Sequence, residues 1–386
     1  MNASADRDIC GTITFLFTVA LALGGASPWR ADAATDPVPS QSGSSDSVRI
    51  SSIDFYGVRT LDVDALRKSL AIHEGDLLSL AEAGAFEQKP ETRLPPVPQI
   101  AHVRVSYLCC DERGGVALFI GVQEVDAPPL QFRAAPTGDV RLPPDLARAA
   151  ADAEQALMNA VQHGRAQEDD SQGHALLSND PEGRAAQERL IPYAKRDLRI
   201  LKQVLHESAD ERQRAIAASV LGYVEDKQGV VDDLVSAMTD PYENVRNNAM
   251  RALLVFTHAK HPPHVPYEPF FALLESPVWT DLNKASYALM SLAAKRDPAL
   301  LAQLRARALT SLAEIARWHS RGHAFAGYYA LGCVAGFTED ELMKRWSEND
   351  SEVVIRAALG TLGFTFREAA AGSSVLGRGF VGFTRQ

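Results

Sequence analysis

Residues 240–253, Asp-Pro-Tyr-Glu-Asn-Val-Arg-Asn-Asn-Ala-Met-Arg-Ala-Leu, decide the reading of this 386-residue chain. Asp240-Pro241 stops one helix, because proline has no N–H to donate and its ring clashes with the preceding turn. Asn244-Val245-Arg246-Asn247 starts the next, and Arg246, Ala249, Ala252 and Leu253 then share one helical face. The same register precedes it at Arg214, Ala217, Val220 and Leu221. It returns at Ala285, Ala288 and Leu289, at Gly327, Ala330 and Leu331, and at Ile355, Ala358 and Leu359. Spacings of about 32, 36, 42 and 28 residues suit two-helix repeats. The small residues in this register let neighbouring helices approach closely, and partner helices are expected at 230–238, 269–274, 300–316 and 339–346.

The pattern resembles the HEAT family over the last half of the chain. That resemblance implies an all-α superhelix over 184–365, followed by a flexible tail at 366–386. Asp226-Lys227-Gln228, Trp279-Thr280-Asp281 and Asn283-Lys284-Ala285 resemble a type of bacterial HEAT-repeat protein that carries no established activity. Arg246 is read as structural, capping or pairing within its own repeat.

The N-terminal part has a different period. Val48, Ile50, Ile53 and Phe55 lead into Tyr56-Gly57, a strand with one irregular step closed by a turn glycine. A helix with Leu66 and Leu70 on one face follows, capped by Asp62 or Asp64 and ended by Gly75. Val103, Val105 and Tyr107, then Val116, Leu118, Ile120 and Val122, alternate as two strands joined by a hairpin across 111–115. Such alternation predicts one face on helices and one face able to meet solvent.

Ile53-Asp54-Phe55-Tyr56-Gly57, Leu66, Leu70, Gly75-Asp76 and the strand ending in Val122-Gln123-Glu124 resemble a POTRA domain, spanning 47–125. The resemblance implies a β-α-β-β unit that binds by lending a sheet edge to an extended partner segment, or one that serves as a folded spacer. The expected fold class is therefore mixed: a small α+β POTRA-like domain followed by an all-α HEAT-repeat superhelix. Prolines at 90, 95, 96 and 98 break the region where the family's second helix would lie, and no β-barrel follows.

Between these units, residues 126–183 read as a linker with an extended segment and one helix. A hairpin across Pro136-Thr137-Gly138-Asp139 is expected, then an Ala-rich helix from 145 to about 163. The run from Glu168 to His174 is acidic with one histidine, but it lacks the alternating ligands and closing glutamate of a calcium loop and reads as a solvated loop.

An apolar run over 9–23, followed by Gly24-Gly25 and Ala31-Asp32-Ala33, reads as a signal peptide over 1–33, cleaved after Ala33, with a polar linker at 34–46. Arg7 between Asp6 and Asp8 leaves the n-region without a positive excess, so an uncleaved inner-membrane anchor is the alternative to a periplasmic protein. After cleavage Cys109, Cys110 and Cys333 remain. The first two are either one core and one rim thiol or a vicinal disulfide. The formal net charge of -10 disfavours nucleic acid as a partner. Protein partners are expected, and peripheral association with the envelope membrane is compatible with them.

No Gly-x-Ser-x-Gly elbow, Walker loop, dinucleotide fingerprint or His-Glu-x-x-His helix occurs. No catalytic, cofactor or metal residue is therefore assigned, and the chain is read as a non-enzymatic adaptor. The alternative is a metal-dependent or ligand-modifying HEAT-repeat enzyme that uses His258, His261 and His264, or His319 and His323. His73-Glu74 and His206-Glu207 are too few for a two-iron site. The candidate partner-binding surface is Trp279, Asp281, Asn283, Arg317, Trp318 and His323, since Trp and Arg often dominate interfaces. The competing reading of these residues puts both tryptophans in the core and Arg317 at a repeat cap.

Overall fold

The computed structural model describes residues 47–108 and 115–360. The expected signal peptide and linker, Cys109, Cys110, most of the 111–115 hairpin and the tail lie outside the described residues. Among the described residues no helix is long and apolar enough to cross a membrane.

The N-terminal unit runs β1 (Ser47–Tyr56), α1 (Val63–Ser69), β2 (Leu77–Ser79), α2 (Leu80–Gln88), β3 (Ile100–Leu108) and β4 (Val116–Glu124). Its sheet order is β2-β1-β4-β3, with β1 parallel to β4 and the other pairs antiparallel. The irregular step in β1 is a register shift between Ile50 and Ser52, which puts both Ile50 and Ile53 on the face that meets α1 and α2. Asp62 caps α1 by accepting from the Asp64 and Ala65 amides. The proline-broken stretch still forms α2, because Ser79 and Glu82 make a reciprocal capping box before the prolines begin. Gly57 has φ +77°, and a Cβ there would sit 2.2 Å from the Val122 carbonyl oxygen, so only glycine closes β1 against β4.

The expectation of a solvated second sheet face is corrected. Tyr56, Leu108 and Phe119 have the opposite parity to the α1/α2 face, and they join the solenoid's core. The sheet is thus a middle layer, with helices of its own unit on one face and the solenoid on the other.

Residues 126–183 are no free connector. From 125 to 143 the chain runs extended along the solenoid's turns, where Arg133 N–H donates to the Thr239 carbonyl at 2.7 Å. The expected hairpin at 136–139 is replaced by a parallel bridge from Gly138 to Ser208. Next come α3 (Pro144–Gln162) and a minimal hairpin of β5 (Glu168–Asp169) and β6 (Leu176–Leu177). Leu142, Leu146, Ala149 and Ala153 are buried in the solenoid's core, so α3 closes its N-terminal end.

The solenoid continues through α4 (Pro181–Glu188), α5 (Leu190–Arg196), α6 (Leu198–Glu207), α7 (Glu211–Leu221), α8 (Val231–Ala237), α9 (Glu243–Thr257), α10 (Glu268–Leu273) and α11 (Trp279–Ala293). It ends with α12 (Pro298–Arg307), α13 (Leu309–Ala316), α14 (Arg321–Ala335), α15 (Glu339–Ser347) and α16 (Ser351–Gly360). The single helix expected over 300–316 is two, broken at Ala308, which leaves helical geometry at φ −121°. The repeated register falls on α7, α9, α11, α14 and α16, which pack side by side as one inner row. Apart from the buried Arg214 and Arg246, the residues of that register are apolar or glycine and are buried, and a Cβ on Gly327 would lie 2.5 Å from the Leu312 carbonyl oxygen, so α13 and α14 approach as the small-residue spacing predicts.

Two buried arginines tie successive repeats together. Arg214 Nη1 donates to the Ser208 carbonyl of its own turn, while its Nε and Nη2 donate to Asp240 at 2.9 Å each. One repeat later Arg246 does the same, with Nη1 to the Asp240 carbonyl and Nε and Nη2 to Asp281 at 2.9 and 2.7 Å. Arg246 therefore pairs within its own repeat and with the next one.

Candidate functional site

The residues singled out as a partner surface lie where the sheet meets the solenoid. Phe119, fully buried, packs edge-on to Trp318 at 4.9 Å between ring centroids and tilted to Trp279 at 5.6 Å. Tyr56 packs edge-on to Trp318 at 5.9 Å, and its hydroxyl donates to the Pro277 carbonyl at 2.7 Å. Gly121 lies under this contact, and a Cβ there would be 2.1 Å from the same carbonyl oxygen. Area burial and edge-to-face ring geometry both favour this docking.

A polar rim surrounds the aromatic centre. The Gly57 N–H donates to Glu314 Oε2 at 3.0 Å, and Arg59 bridges Glu275 and Glu314. Asp54 accepts from the His319 backbone N–H at 3.1 Å and lies 2.7 Å from His319 Nδ1. Arg104 reaches Glu243 at the start of α9 at 2.7 Å. Behind Arg59, Glu124 accepts from the amides of Arg59, Thr60 and Leu61. Burial would push the Glu124 carboxyl up, but the hydrogen bonds from Thr60 and its neighbours outweigh it and hold the group below the usual carboxylate range.

Trp279, Asp281, Asn283, Trp318 and His323 are each 5 % exposed or less, and the sheet's Phe119 packs on Trp279, Trp318 and His323. Arg317 alone stays at the surface, pairing with Glu352 at 2.8 Å. Asp281 serves the arginine ladder, and Asn283 Oδ1 is 3.2 Å from His323 Nδ1. Burial, with Lys284 nearby, drives His323 down to about 3, so it sits here as a neutral imidazole. The hydrogen bond with Asp54 pushes His319 upward instead. These two histidines serve different contacts. His258 Nδ1 is 2.6 Å from Asp170, and among the described residues no three His, Cys, Asp or Glu side chains converge as a metal site.

Sequence reasoning missed a second cluster. The β5–β6 hairpin lies across α7 and α9 on the inner row. Glu168 pairs with Arg251, while His174 stacks on Tyr223 at 6.0 Å and Tyr223 donates to the Ala175 carbonyl at 3.1 Å. Lys284, on α11, is brought down to about 7 by burial and by Arg251, with Glu168 opposing. A cavity of about 20 Å³ under the hairpin is lined by Ser219, Tyr223, Asn248 and Arg251 among others, space for about one water. The sequence signal was Asn248, Arg251, Ala252 and Val255 at helical spacing, a polar pair inside an otherwise buried face.

No protein-family model and no curated protein matches the chain. Two similar solved structures are designed armadillo repeat proteins. One, described as computationally designed for modular peptide recognition, is 16 % identical, covers 56 % of this chain and 98 % of its own, and has a TM-score of 0.35. The other is 16 % identical, covers 48 % of this chain and 95 % of its own, and has a TM-score of 0.33. Similarity at that level defines neither this chain's ligand nor its family. The inner row of repeated helices, with the other helices between its members in sequence, makes the C-terminal part a helical-repeat solenoid.

Proposed function

We propose that the chain is a non-enzymatic protein-binding scaffold of the cell envelope, in which a HEAT-like solenoid holds a POTRA-like sheet so that the edge of β3 receives an extended segment of a partner. The observation that supports this most is that both sheet faces are covered while β3 is the outermost strand. A sheet covered on both faces can bind a further chain only along an edge, where backbone groups supply the affinity. The β3 edge is nine residues long, about 30 Å at 3.3 Å per residue, whereas the opposite edge strand β2 has three. Export by the N-terminal apolar segment belongs to the same proposal, and the mass of the mature N-terminus tests it.

Ala101→Pro tests the edge. Ala101 is exposed and falls at the register shift between Ile100 and His102, where it has no partner on β4, so proline there disturbs the outer edge more than the ladder. Cross-linking capture from an envelope extract should recover protein partners with the native chain and lose them with Ala101→Pro at an unchanged thermal midpoint. Recovery of the same partners by both chains counts against the edge.

A further inference from the structure

The chain is acidic overall, yet Arg251, His258 and Lys284 gather on α9, its C-cap and α11; Glu168 and Asp170 meet Arg251 and His258, while Asp169 between them turns to Arg184. Arg251 on α9 and His258 at its C-cap are seven residues apart, two turns or about 10 Å, and they take Glu168 and Asp170 respectively. The side chain of Glu168 is 2 % exposed, and its Oε2 has no hydrogen-bond partner. The resident carboxylate therefore fills the slot with one oxygen satisfied and one not. Native structures rarely leave a buried acceptor in that state.

The two arms of the hairpin are held differently. Leu176 and Leu177 of β6 are buried in the core, and the Leu177 N–H donates to the buried Gln187 side chain at 2.7 Å. The β5 arm is held by Glu168 and Asp170, by two residue pairs to β6 and by Gln167, whose backbone carbonyl accepts from the Ser178 N–H at 2.8 Å and whose side-chain oxygen accepts from Asn179 at 2.6 Å, but no residue of 165–173 joins the hydrophobic core. The hydrophobic core is thus complete without the β5 arm.

We propose that the inner face formed by Arg251, His258 and Lys284 with the edge of β6 is a binding slot for an extended acidic segment of a protein partner, and that residues 165–173 are its resident, displaceable occupant. This rests on the scaffold reading and names one partner chemistry for it, at residues that do not belong to β3. Exchange proceeds by replacing β5 with an incoming strand that pairs with β6 and places a carboxylate at Arg251. Because the resident arm is tethered, it competes at the millimolar effective concentration a short linker supplies, so a partner must bind more tightly or present several carboxylates.

The test uses the full chain and a fluorescent synthetic peptide of residues 165–172. The variant E168A/D169A/D170A should bind this peptide at least tenfold more tightly than the native chain in fluorescence anisotropy. Binding should vanish on adding Arg251→Glu, and a peptide with Gln, Asn and Asn in place of the three acids should not bind. A folded triple variant that fails to bind the acidic peptide up to the millimolar range, or binds acidic and neutral peptides alike, overturns the proposal. Hydrogen exchange on the native chain decides the matter if the variant does not fold. Amides of 165–173 should exchange well before those of 176–188, and equal protection of both segments overturns it. Neither assay involves β3, so failure here leaves the edge reading standing.

Discussion

Trp318→Ala separates a free binding surface from an internal seam. Truncating a buried tryptophan costs about 3–5 kcal/mol through lost transfer energy and the cavity left behind. Trp318 is 5 % exposed, but its Nε1 is buried without a hydrogen-bond partner, so removing it also removes an unsatisfied donor, an offset of roughly 1–3 kcal/mol. The expected loss is therefore about 2 kcal/mol, or roughly 4 °C for a chain of this size. Phe119→Ala, on the other side of the seam and with no such offset, should cost about 3–5 kcal/mol. The pair meets edge-on at 4.9 Å, so the double variant should lose about 0.5–1.5 kcal/mol less than the sum of the singles. Urea unfolding followed by circular dichroism measures all three. A Trp318→Ala midpoint within about 1 °C of the native chain, or strict additivity with Phe119→Ala, would refute the seam.

Three further outcomes follow from the same contacts. Arg246→Met leaves Asp281 buried without its guanidinium and should destabilise by about 3–5 kcal/mol in urea unfolding; adding Asp281→Leu should restore most of the loss. His319 has its folded pKa raised above about 6.5, so its contribution is complete below that pH and is lost as pH rises through the raised value; His319→Gln should remove this alkaline decline from a stability–pH profile. His323 is depressed to about 3, so stability should fall as pH drops below about 6.5, because only the unfolded chain takes up the proton, and His323→Gln should flatten that acid limb.

The repeat register was legible because small and aliphatic residues recur where inner helices touch, and alternation in the strands was legible for the same reason. The docked face was not. The alternation of Val116, Leu118, Ile120 and Val122 marks only the α1/α2 face, whereas the five consecutive apolar residues from Val116 to Ile120, Phe119 among them, are the mark of a strand buried on both faces. The same holds for Phe55 beside Tyr56. Trp279 and Trp318 at the edges of α11 and α13 read alike as surface anchors or as core. Only the arrival of a sheet from some 200 residues upstream distinguishes the two. The expected 136–139 turn had the right residues, but pairing of Gly138 with Ser208 overrode local preference. Arg251 and Glu168 are 83 residues apart, and nothing local in either links them.

The central claim is that the sheet and the solenoid form one docked body whose covered faces leave β3 as the edge for binding. Hydrogen exchange at the Gly57 and His319 amides tests it most directly, since each donates across the seam, to Glu314 and Asp54 respectively. The account predicts slow exchange at both in the native chain, and loss of that protection in Phe119→Ala while β4 amides stay protected. Exchange of both amides at open-chain rates in the native protein would contradict it.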